Sequence, residues 1–435
     1  MRQSGITCDL LVIGNGLAGM AAALFAAKRG ISAAHAGMTG AINFSSGLLD
    51  LMGVYPVSEG KIWENPWDAI DALTQNMPLH PYARISKQEI RESLDEFMAF
   101  LQNNGLSYTG YPDRNARVLT PAGTVKPTFR VPLSMWKGVR AYEEKLPCVI
   151  ADFRGLKAFS SRQIAETLKE QWPQLCSAHL TLPNLKADIY PLHLAQTLET
   201  PEMQEALIRE LRPHIGNAKA LGFPALLGVS KTAAIIAQLE RELGIDVFEI
   251  PTIPPSVAGS RIRAAFEKGL PQLNLHAFCQ KQVLAVQRLE NGDFLFDLGH
   301  TEKETQVQAK AAILASGRFF GKGLHADRKK IRETIFDLPV FQPESRSQWH
   351  NPDFFAPDGH PVNQAGLETD DTFRPLGKDG KPVYENLFAA GSILAHQDWP
   401  RMKCGSGLAI ATAFKAVKGF CAFLNTCTKN SCHFL

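Results

Sequence analysis

Residues Cys8–Gly30 read CDLLVIGNGLAGMAAALFAAKRG, an apolar sequence interrupted early by glycines. The run Cys8–Ile13 has the length of a β-strand, and Gly14, Gly16 and Gly19 follow it as G-x-G-x-x-G. At such a junction the first glycine permits a tight turn and the second lets a phosphate approach the backbone. The third lets the next helix pack closely on the strand. The stretch therefore predicts a strand, a phosphate-binding turn and a helix.

The predicted helix continues to Lys28, Gly30 is suited to cap it, and Ile31–Ala36 has the composition of a second strand. The unpaired N–H groups and the dipole at the start of a helix favour an anionic phosphate there. The alternative is an apolar hairpin or a membrane segment, because residues 10–27 are mostly apolar and long enough to span a bilayer. The glycine break divides them into strand and helix lengths, so we favour a β-α-β nucleotide-binding unit.

The composition is that of a soluble globular enzyme. A length of 435 residues suffices for two or more domains, and the 46 basic residues are nearly balanced by 43 acidic ones. The net charge of +3 and the lack of a basic run with interleaved aromatic residues exclude a nucleic-acid-binding role. The first residues do not resemble a signal peptide, so we expect a cytoplasmic protein that could dock on a membrane partner.

The 8 cysteines, in a chain without a secretory signal, predict free thiols. Cys421, Cys427 and Cys432 crowd the C-terminal tail. Their spacing matches neither a C-x-x-C pair nor a ferredoxin run, so we predict no metal site.

The middle of the chain carries few motifs. Ser45, Ser46 and Gly47 end a small-residue loop that suits contacts to a bound polar group, with an ordinary turn as the alternative. Residues 60–250 mix amphipathic helical patterns with short strand-like runs, and we expect this insertion to form a wall or cap over the site. No motif within it fixes a chemistry.

Strand patterns return late in the chain. The runs Gln282–Arg288, Phe294–Asp297 and Gln306–Leu314 predict a β-meander. The last of these strands ends in Ser316 and Gly317, and we expect it to rejoin the first sheet.

A second glycine-rich turn lies near the end of the chain. Glu385–Gly391 reads ENLFAAG and predicts a strand, and Cys404–Leu408 precedes the helical run Ala409–Gly419. A glycine-rich turn at the start of a helix is again an anion site. Two such sites in one chain predict one cofactor held by both.

Three motifs resemble the flavoprotein oxidoreductases with a two-dinucleotide-binding-type fold: GNGLAG, ILASG near residue 315 and ENLFAAG. More specifically, FSSGLLDL at Phe44–Leu51, PPSVAGSR at Pro254–Arg261 and DFFAP at Asp353–Pro357 are similar to the B subunit of anaerobic glycerol-3-phosphate dehydrogenase. The matches extend from the first strand to about Ala416, although residues 60–250 supply few of them.

The resemblance implies an α/β protein with a Rossmann-like FAD/NAD(P)-binding flavoprotein fold, an inserted α+β cap or substrate region, and a β-meander. We expect the flavin-binding domain in two parts, separated by the insertion and by a helix with the β-meander, and followed by a tail. In chain order, the expected bounds are 1–58, 59–250, 251–312, 313–420 and 421–435.

The resemblance also implies flavin-dependent oxidation of sn-glycerol 3-phosphate to dihydroxyacetone phosphate, with electrons passed to a quinone during anaerobic growth on fumarate or nitrate. The family's B subunit is regarded as FMN-dependent. It pairs with a catalytic A subunit, and a membrane-associated C subunit with iron–sulfur clusters tethers the pair to the inner membrane. One alternative is an electron-transferring or scaffolding subunit whose partner oxidises the alcohol, and another is a flavin-free binding module.

One departure from the general pattern bears on the cofactor. A dinucleotide fingerprint usually has an acid about 20 residues on, which binds the adenosine ribose. Here no acid occurs between Asp9 and Asp50. FMN has no adenosine and would not require this acid, so the sequence agrees with FMN, with FAD as the alternative.

Oxidation of a secondary alcohol phosphate needs a base and cationic groups on the phosphate. Arginine suits phosphate because its fork is planar, permanently charged and bidentate. Arg261, Arg318 and Arg374 each adjoin a segment that we expect at the cofactor. For each of them, an ordinary surface salt bridge is the alternative.

His350 and His396 are the candidate bases, and Asp398 is a candidate orienter in the same loop as His396. A structural role is the alternative for each histidine. The predicted cofactor-binding residues are Gly14, Asn15, Gly16, Leu17, Ala18, Gly19, Ser45, Ser46, Gly47, Ser316, Gly317, Gly391, Ser392, Gly405, Gly407 and Leu408.

Overall fold

The computed structural model describes residues 5–38, 40–183 and 188–431. The chain divides into two compact units. The first unit comprises Met1–Ala41, Val54–Phe100 and Phe266–Leu435, and the second comprises Ile42–Gly53 and Leu101–Ala265.

The regular elements are numbered in chain order. The helices are α1 Leu17–Lys28, α2 Pro66–Asn76, α3 Lys87–Asn103, α4 Leu133–Glu144, α5 Ser161–Leu168, α6 Pro191–Thr197, α7 Pro201–Ile215, α8 Thr232–Leu243, α9 Val257–Gly269, α10 Trp399–Met402 and α11 Gly405–Ser431. The strands are β1 Ile6–Ile13, β2 Ala33–Gly37, β3 Tyr108–Thr109, β4 Ala116–Leu119, β5 Val125–Thr128, β6 Val131–Pro132, β7 Cys148–Phe153, β8 Leu175–Leu180, β9 Ala220–Pro224, β10 Asp246–Ile250, β11 His276–Cys279, β12 Gln282–Arg288, β13 Phe294–Gly299, β14 Lys303–Leu314, β15 Leu324–Ala326, β16 Ile331–Glu333 and β17 Leu387–Ala389.

The first unit is built on one mixed sheet. Its order is β11-β2-β1-β14-β13-β12, and β17 pairs with the end of β14. β1 runs parallel to β2 and β14, while β12, β13 and β14 are antiparallel neighbours. Leu10, Leu11 and Val12 of β1 are completely buried, as expected for a parallel strand covered on both faces. The predicted β-α-β unit and the β-meander that rejoins its sheet are confirmed.

Residues 59–100, which we expected within the insertion, belong to the first unit. Within that unit, Glu89 of α3 accepts hydrogen bonds from Lys415 at 3.0 Å and Lys418 at 2.8 Å, both on α11. The ring of Phe97 lies 5.6 Å from that of Phe266. These contacts between distant parts of the chain move the boundary, and local composition gives no sign of them.

The last helix, α11, is long and apolar enough to cross a membrane by length and composition alone. An 18-residue window within Gly405–Thr426 has a mean hydropathy of 1.5, yet 61% of that window is buried. The ring of Phe414 meets that of Phe25 of α1 edge-on at 5.2 Å. Packing against α1 accounts for the apolar character of α11, as it does for any core helix.

The second unit is built on a sheet of parallel strands in the order β10-β9-β7-β8. Parallel pairing requires crossover connections, and α5 between β7 and β8 and α8 between β9 and β10 supply them. Phe153, Phe223 and Phe248 form part of its buried core. We expected mixed helices and strands in this insertion, and its main sheet is of the α/β type.

A buried ion pair lies within the second unit. The side chain of Glu249 on β10 is 0% exposed and that of Arg261 on α9 is 5% exposed. Arg261 Nη2 donates to Glu249 Oε1 at 2.8 Å and to the carbonyl of Gly228 at 2.7 Å. Arg261 is therefore engaged in a salt bridge, but in the protein interior and not at the surface, where the sequence-based alternative placed it.

Replacement of Arg261 by leucine should destabilise the protein by about 3–5 kcal/mol, because Glu249 would remain buried without its partner. The matched control is Arg140→Leu, which breaks an exposed pair with Glu144 and should leave stability nearly unchanged. Urea denaturation followed by tryptophan fluorescence measures both. Equal changes in the two variants would show that the buried pair is not important for stability.

Candidate functional site

The carboxyl ends of β1, β14 and β17 meet at one edge of the first unit's sheet. A Cβ atom on Gly14, which follows β1, would stand 2.2 Å from the carbonyl oxygen of Ala315, which follows β14. A Cβ atom on Gly391, which follows β17, would stand 2.6 Å from the Cβ of Ala18 at the start of α1. The structure thus brings together three of the segments that the sequence predicted at the cofactor.

The physical reason for a glycine differs among the three positions of the first turn. Gly14 has a φ of +125°, and a Cβ atom on Gly19 would stand 1.8 Å from the Gly14 carbonyl oxygen, so neither position accepts a larger residue. At Gly16, by contrast, a Cβ atom meets nothing within 4 Å. Gly16 is the N-cap residue of α1, and no side chain caps this helix. The first turn of α1, with Leu17 and Ala18, therefore has N–H groups that no side chain caps, and the open space beside Gly16 fits a phosphate.

The end of β2 lies beside this turn and carries no carboxylate. A Cβ atom on Gly37 would stand 2.6 Å from the backbone nitrogen of Asn15. His35, which is 6% exposed, donates its Nε2–H to the Gly14 carbonyl at 2.7 Å, since a carbonyl can only accept. Burial lowers the pKa of His35, which favours the neutral ring. An imidazole thus occupies the space under the turn, and Ala33–Gly37 offers no acid to a ribose.

Ser316 supplies an unpaired polar atom at this edge. Its Oγ is buried and has no hydrogen-bond partner among the residues that the structure describes. A Cβ atom on Gly317 would stand 3.5 Å from Oγ of Ser392, which places the ends of β14 and β17 side by side. The orphaned hydroxyl and the open turn at Gly16 fit a cofactor that accepts hydrogen bonds at more than one point.

The second glycine-rich turn packs against neighbouring segments of the first unit. α11 begins at Gly405, where a Cβ atom would stand 2.6 Å from the ring of Trp399. Gly407 and Leu408 are buried in the first turn of the helix. One turn later, Thr412 Oγ1 accepts the Gly391 N–H at 2.8 Å and ties α11 to the end of β17. Cofactor contact by the start of α11 stays a prediction.

Ser45, Ser46 and Gly47 belong to the second unit. The Ser45 Oγ accepts the Gly47 N–H at 3.1 Å, and the Ser46 Oγ accepts the Leu48 N–H at 3.3 Å. Both hydroxyls therefore stabilise a local turn, as in the alternative interpretation of this loop. Their contact with a cofactor stays a prediction.

Arg318 holds the segment that follows β17. Its Nε donates to the carbonyl of Ser392 at 2.7 Å, and its Nη2 donates to the carbonyls of Leu394 at 3.3 Å and Gln397 at 2.8 Å. Burial lowers its pKa to about 10, so the guanidinium keeps its charge at neutral pH. Its donors are directed at backbone carbonyls, and its role is to position residues 392–397.

Arg374 also has protein partners. Its Nε donates to Asp370 at 2.8 Å, and Nη1 contacts the carboxylate of Glu385. Burial by itself would raise the pKa of Asp370. Backbone hydrogen bonding and the guanidinium together outweigh that effect and lower this pKa. Direct binding of a substrate phosphate would require this pair to open.

His396 has the geometry of an oriented base. Its Nε2 lies 2.7 Å from Oε1 of Glu368 and donates to it, because a carboxylate can only accept. In the neutral ring, Nδ1 is then the proton acceptor. The ring also lies 4.1 Å from that of Phe341. The φ of His396 is +60°, a conformation uncommon outside glycine and concentrated at functional sites.

Glu368 reaches His396 through a backbone bridge between distant segments. The N–H of Leu367 donates to the carbonyl of Ile393 at 2.8 Å, and the N–H of Ala395 donates to the carbonyl of Leu367 at 2.9 Å. Sequence reasoning missed Glu368, because nothing local indicates this pairing.

The other candidates at this end have different contacts. Asp398, which is 5% exposed, accepts a hydrogen bond from Asn363 at 3.1 Å instead of orienting His396. His350 is exposed, and its ring lies 5.3 Å from that of His360. Of the two predicted bases, the structure gives only His396 a carboxylate partner among the described residues.

His396 and Glu368 line a small cavity of about 90 Å³. Arg84 and Thr369 share this lining. The side chain of Arg84 is 16% exposed, and its Nε lies 3.7 Å from a carboxylate oxygen of Asp371, which is 96% exposed. Arg84 is a cation beside the oriented base that sequence reasoning missed, because no motif marks residues 60–250.

The cysteines described are free thiols, and Cys421 is half-buried. Cys432 and the side chain of Cys427 lie outside the described residues. Within the described part of the chain, no three His, Cys, Asp or Glu side chains are grouped to hold a metal ion.

Comparisons with known proteins identify the family of the chain. Residues 9–408 match the family described as FAD binding domain. The chain is 31% identical over 423 residues to the B subunit of anaerobic glycerol-3-phosphate dehydrogenase from Vibrio vulnificus (strain YJ016), covering 94% of this chain and 95% of the relative. It is 30% identical over 419 residues to the B subunit of that name from Yersinia pseudotuberculosis serotype I (strain IP32953), covering 93% and 96%. The corresponding values for Pasteurella multocida (strain Pm70) are 31% over 431 residues, covering 94% and 98%.

Gly16→Ala should leave thermal stability nearly unchanged and weaken flavin binding by about tenfold or more, because its methyl group would occupy the space above α1 and cost hydrogen bonds to a charged group. Flavin fluorescence titration and thermal denaturation measure the two effects. Gly14→Ala is the contrasting variant, since its Cβ meets a backbone carbonyl and should lower stability as well. Wild-type flavin affinity in Gly16→Ala would place the cofactor elsewhere.

Proposed function

The chain belongs to the family of anaerobic glycerol-3-phosphate dehydrogenase B subunits, and we propose that it oxidises sn-glycerol 3-phosphate to dihydroxyacetone phosphate. The proposal rests on the pairing of Glu368 with His396, which lies on the segment that follows Gly391, next to strand ends that fit a flavin. When bound, the flavin supplies the two-electron acceptor that oxidation of a secondary alcohol requires.

The chain's own contribution to the reaction is an oriented proton acceptor. Nδ1 of His396 takes the proton of the substrate's secondary hydroxyl, while Glu368 holds the Nε2–H and stabilises the charged ring that results. Arg318 keeps the segment in place through the carbonyls of Ser392 and Gln397.

Arg84 is the cation that we assign to the substrate phosphate. It lines the same cavity as His396, and its guanidinium can form the bidentate contact that phosphate favours. Thr369 adds a hydroxyl to this lining. Arg374 and Arg261 are less suitable, because both donate hydrogen bonds to carboxylates at 2.8 Å. The carboxylate contact of Arg84 is longer, 3.7 Å to the exposed Asp371.

The cofactor we propose is FMN. The end of β2 offers no carboxylate to an adenosine ribose, and FMN has no adenosine. The phosphate of FMN would rest on the first turn of α1, above Gly16. FAD is the alternative, since the matching family is described as FAD binding.

The proposed acceptor beyond the flavin is a quinone, reached within a complex. The relatives are named as B subunits, which supports a multi-subunit dehydrogenase. We propose a catalytic A subunit and a membrane-associated iron–sulfur C subunit as its partners. The chain would then lie in the cytoplasm or at the cytoplasmic face of the inner membrane.

Acid release of the cofactor from the chain purified alone, followed by chromatography, should yield FMN. FAD would contradict the FMN assignment and mean that other contacts replace the missing acid. Absence of flavin, with none regained on reconstitution with either cofactor or the partner subunit, would contradict the oxidoreductase proposal and favour a scaffold.

His396→Asn should lower kcat for glycerol 3-phosphate oxidation by about 100-fold or more, because it removes the general base. Glu368→Gln should have a smaller effect on kcat, because it removes an orienting charge and leaves the imidazole. Reduction of an artificial electron acceptor by the flavin-loaded chain measures this activity. The matched control is His350→Asn, which should retain wild-type kcat.

Two outcomes would contradict the proposal in different ways. Wild-type kcat in His396→Asn would remove this histidine from the reaction and leave the activity unassigned. A flavin-loaded wild-type chain without activity, whose flavin is nevertheless reduced by the A subunit, would make this chain an electron relay whose partner oxidises the alcohol.

A further inference from the structure

A second cavity of the first unit is lined by both cationic and aromatic side chains. It has a volume of about 540 Å³, within the range of about 300–1,000 Å³ typical of small-molecule sites. We call it the cationic cleft, and the residues that define it are Arg288, His325, Arg332, Phe294, Phe336 and Tyr384. We propose that the cationic cleft binds a nucleoside phosphate.

One wall of the cleft is a hairpin that places two basic side chains opposite each other. His325 on β15 and Arg332 on β16 are direct cross-strand partners, so their side chains share one face of the hairpin. Like charges in such a position repel when the histidine is protonated. The carboxylate of Asp327 lies 3.8 Å from Arg332 and offsets part of this repulsion. An anion bound between the two side chains would offset the rest.

The opposite wall combines a third cation with aromatic rings. The Arg288 guanidinium lies 5.1 Å from the ring centre of Tyr384 and 5.7 Å from that of Phe294. The rings of Phe294 and Tyr384 meet edge-on at 5.5 Å, and Phe336 packs against both. Phe294 is buried, so a planar base would stack on the exposed Arg288 guanidinium or on the half-buried Tyr384 ring. This wall therefore suits the ring of a nucleoside, as the hairpin suits its phosphates.

Two carboxylates also line the cleft, and one of them accepts backbone hydrogen bonds. Glu333 is 2% exposed, and its oxygens accept the N–H groups of Ile335 at 2.8 Å and Phe336 at 2.7 Å. These bonds hold Glu333 in the lining of the cleft, where its carboxylate offsets part of the positive charge of the arginines. Asp337 is exposed and has a φ of +52°, a conformation that asparagine adopts readily. The negative charge of Asp337 opposes a bound anion. Removal of this charge should therefore strengthen binding, whereas removal of an arginine should weaken it.

The cationic cleft is separate from the edge that fits the flavin. Tyr384 precedes the first residue of β17, whereas Gly391 follows its last residue. The strand thus has the cleft at its amino end and the glycine-rich segments at its carboxyl end. Its ligand is a second one, additional to the flavin and to the proposed substrate.

The test is isothermal titration of the flavin-loaded full chain with ADP, pyrophosphate and adenosine, since bound flavin excludes ADP from the glycine-rich edge. ADP should bind more tightly than either pyrophosphate or adenosine, because it alone uses both walls. Arg332→Gln and Arg288→Gln should each weaken ADP binding by about tenfold, and Asp337→Asn should strengthen it. The matched control is Lys329→Gln, on the turn of the same hairpin, which should stay within about twofold of wild type.

Three results would overturn the proposal. The first is wild-type chain that does not bind ADP. The second is equal loss in Arg332→Gln and Lys329→Gln, which would indicate general attraction to a basic surface. The third is pyrophosphate that binds as tightly as ADP, which would remove the nucleoside. Thermal denaturation of each variant separates loss of binding from loss of folding.

Discussion

The close approach of the turn after β1 to the end of β14 sets the geometry of the first unit. At Gly14 the two backbones are near enough that a Cβ would stand 2.2 Å from the Ala315 oxygen. Because the strands are parallel, the chain leaves both of them at the same edge. The open first turn of α1 and the orphaned hydroxyl of Ser316 both lie at this edge as a result.

A buried cation holds the part of the site that has little regular structure. Residues 392–397 turn away from β17, and side-chain donors satisfy several of their carbonyls. Arg318 donates to those of Ser392, Leu394 and Gln397, and the Gln397 amide also donates to the first two. The cost of burying its charge is offset by these charge-assisted hydrogen bonds. His396 can then keep its left-handed conformation and its bond to Glu368.

Local patterns were sufficient to predict the sheet of the first unit. The strand that ends at Ile13, the glycine spacing after it and the β-meander are all encoded within short windows, and the matching family confirms the flavoprotein fold. Glu368 and Arg84 could not be predicted, because contacts between distant segments bring them to His396. The same reason hid the place of residues 59–100 in the first unit. Arg261 shows that a local pattern can also mislead. It lies beside a glycine turn, which suggested the cofactor, but it forms a buried ion pair.

We propose that a flavin phosphate rests on the first turn of α1, and a crystal structure of the flavin-loaded chain would show its position. We expect phosphate oxygens within hydrogen-bond distance of the Leu17 and Ala18 N–H groups, in the open space at Gly16. A flavin whose phosphate lies elsewhere, for instance between Arg288 and Arg332, would contradict it.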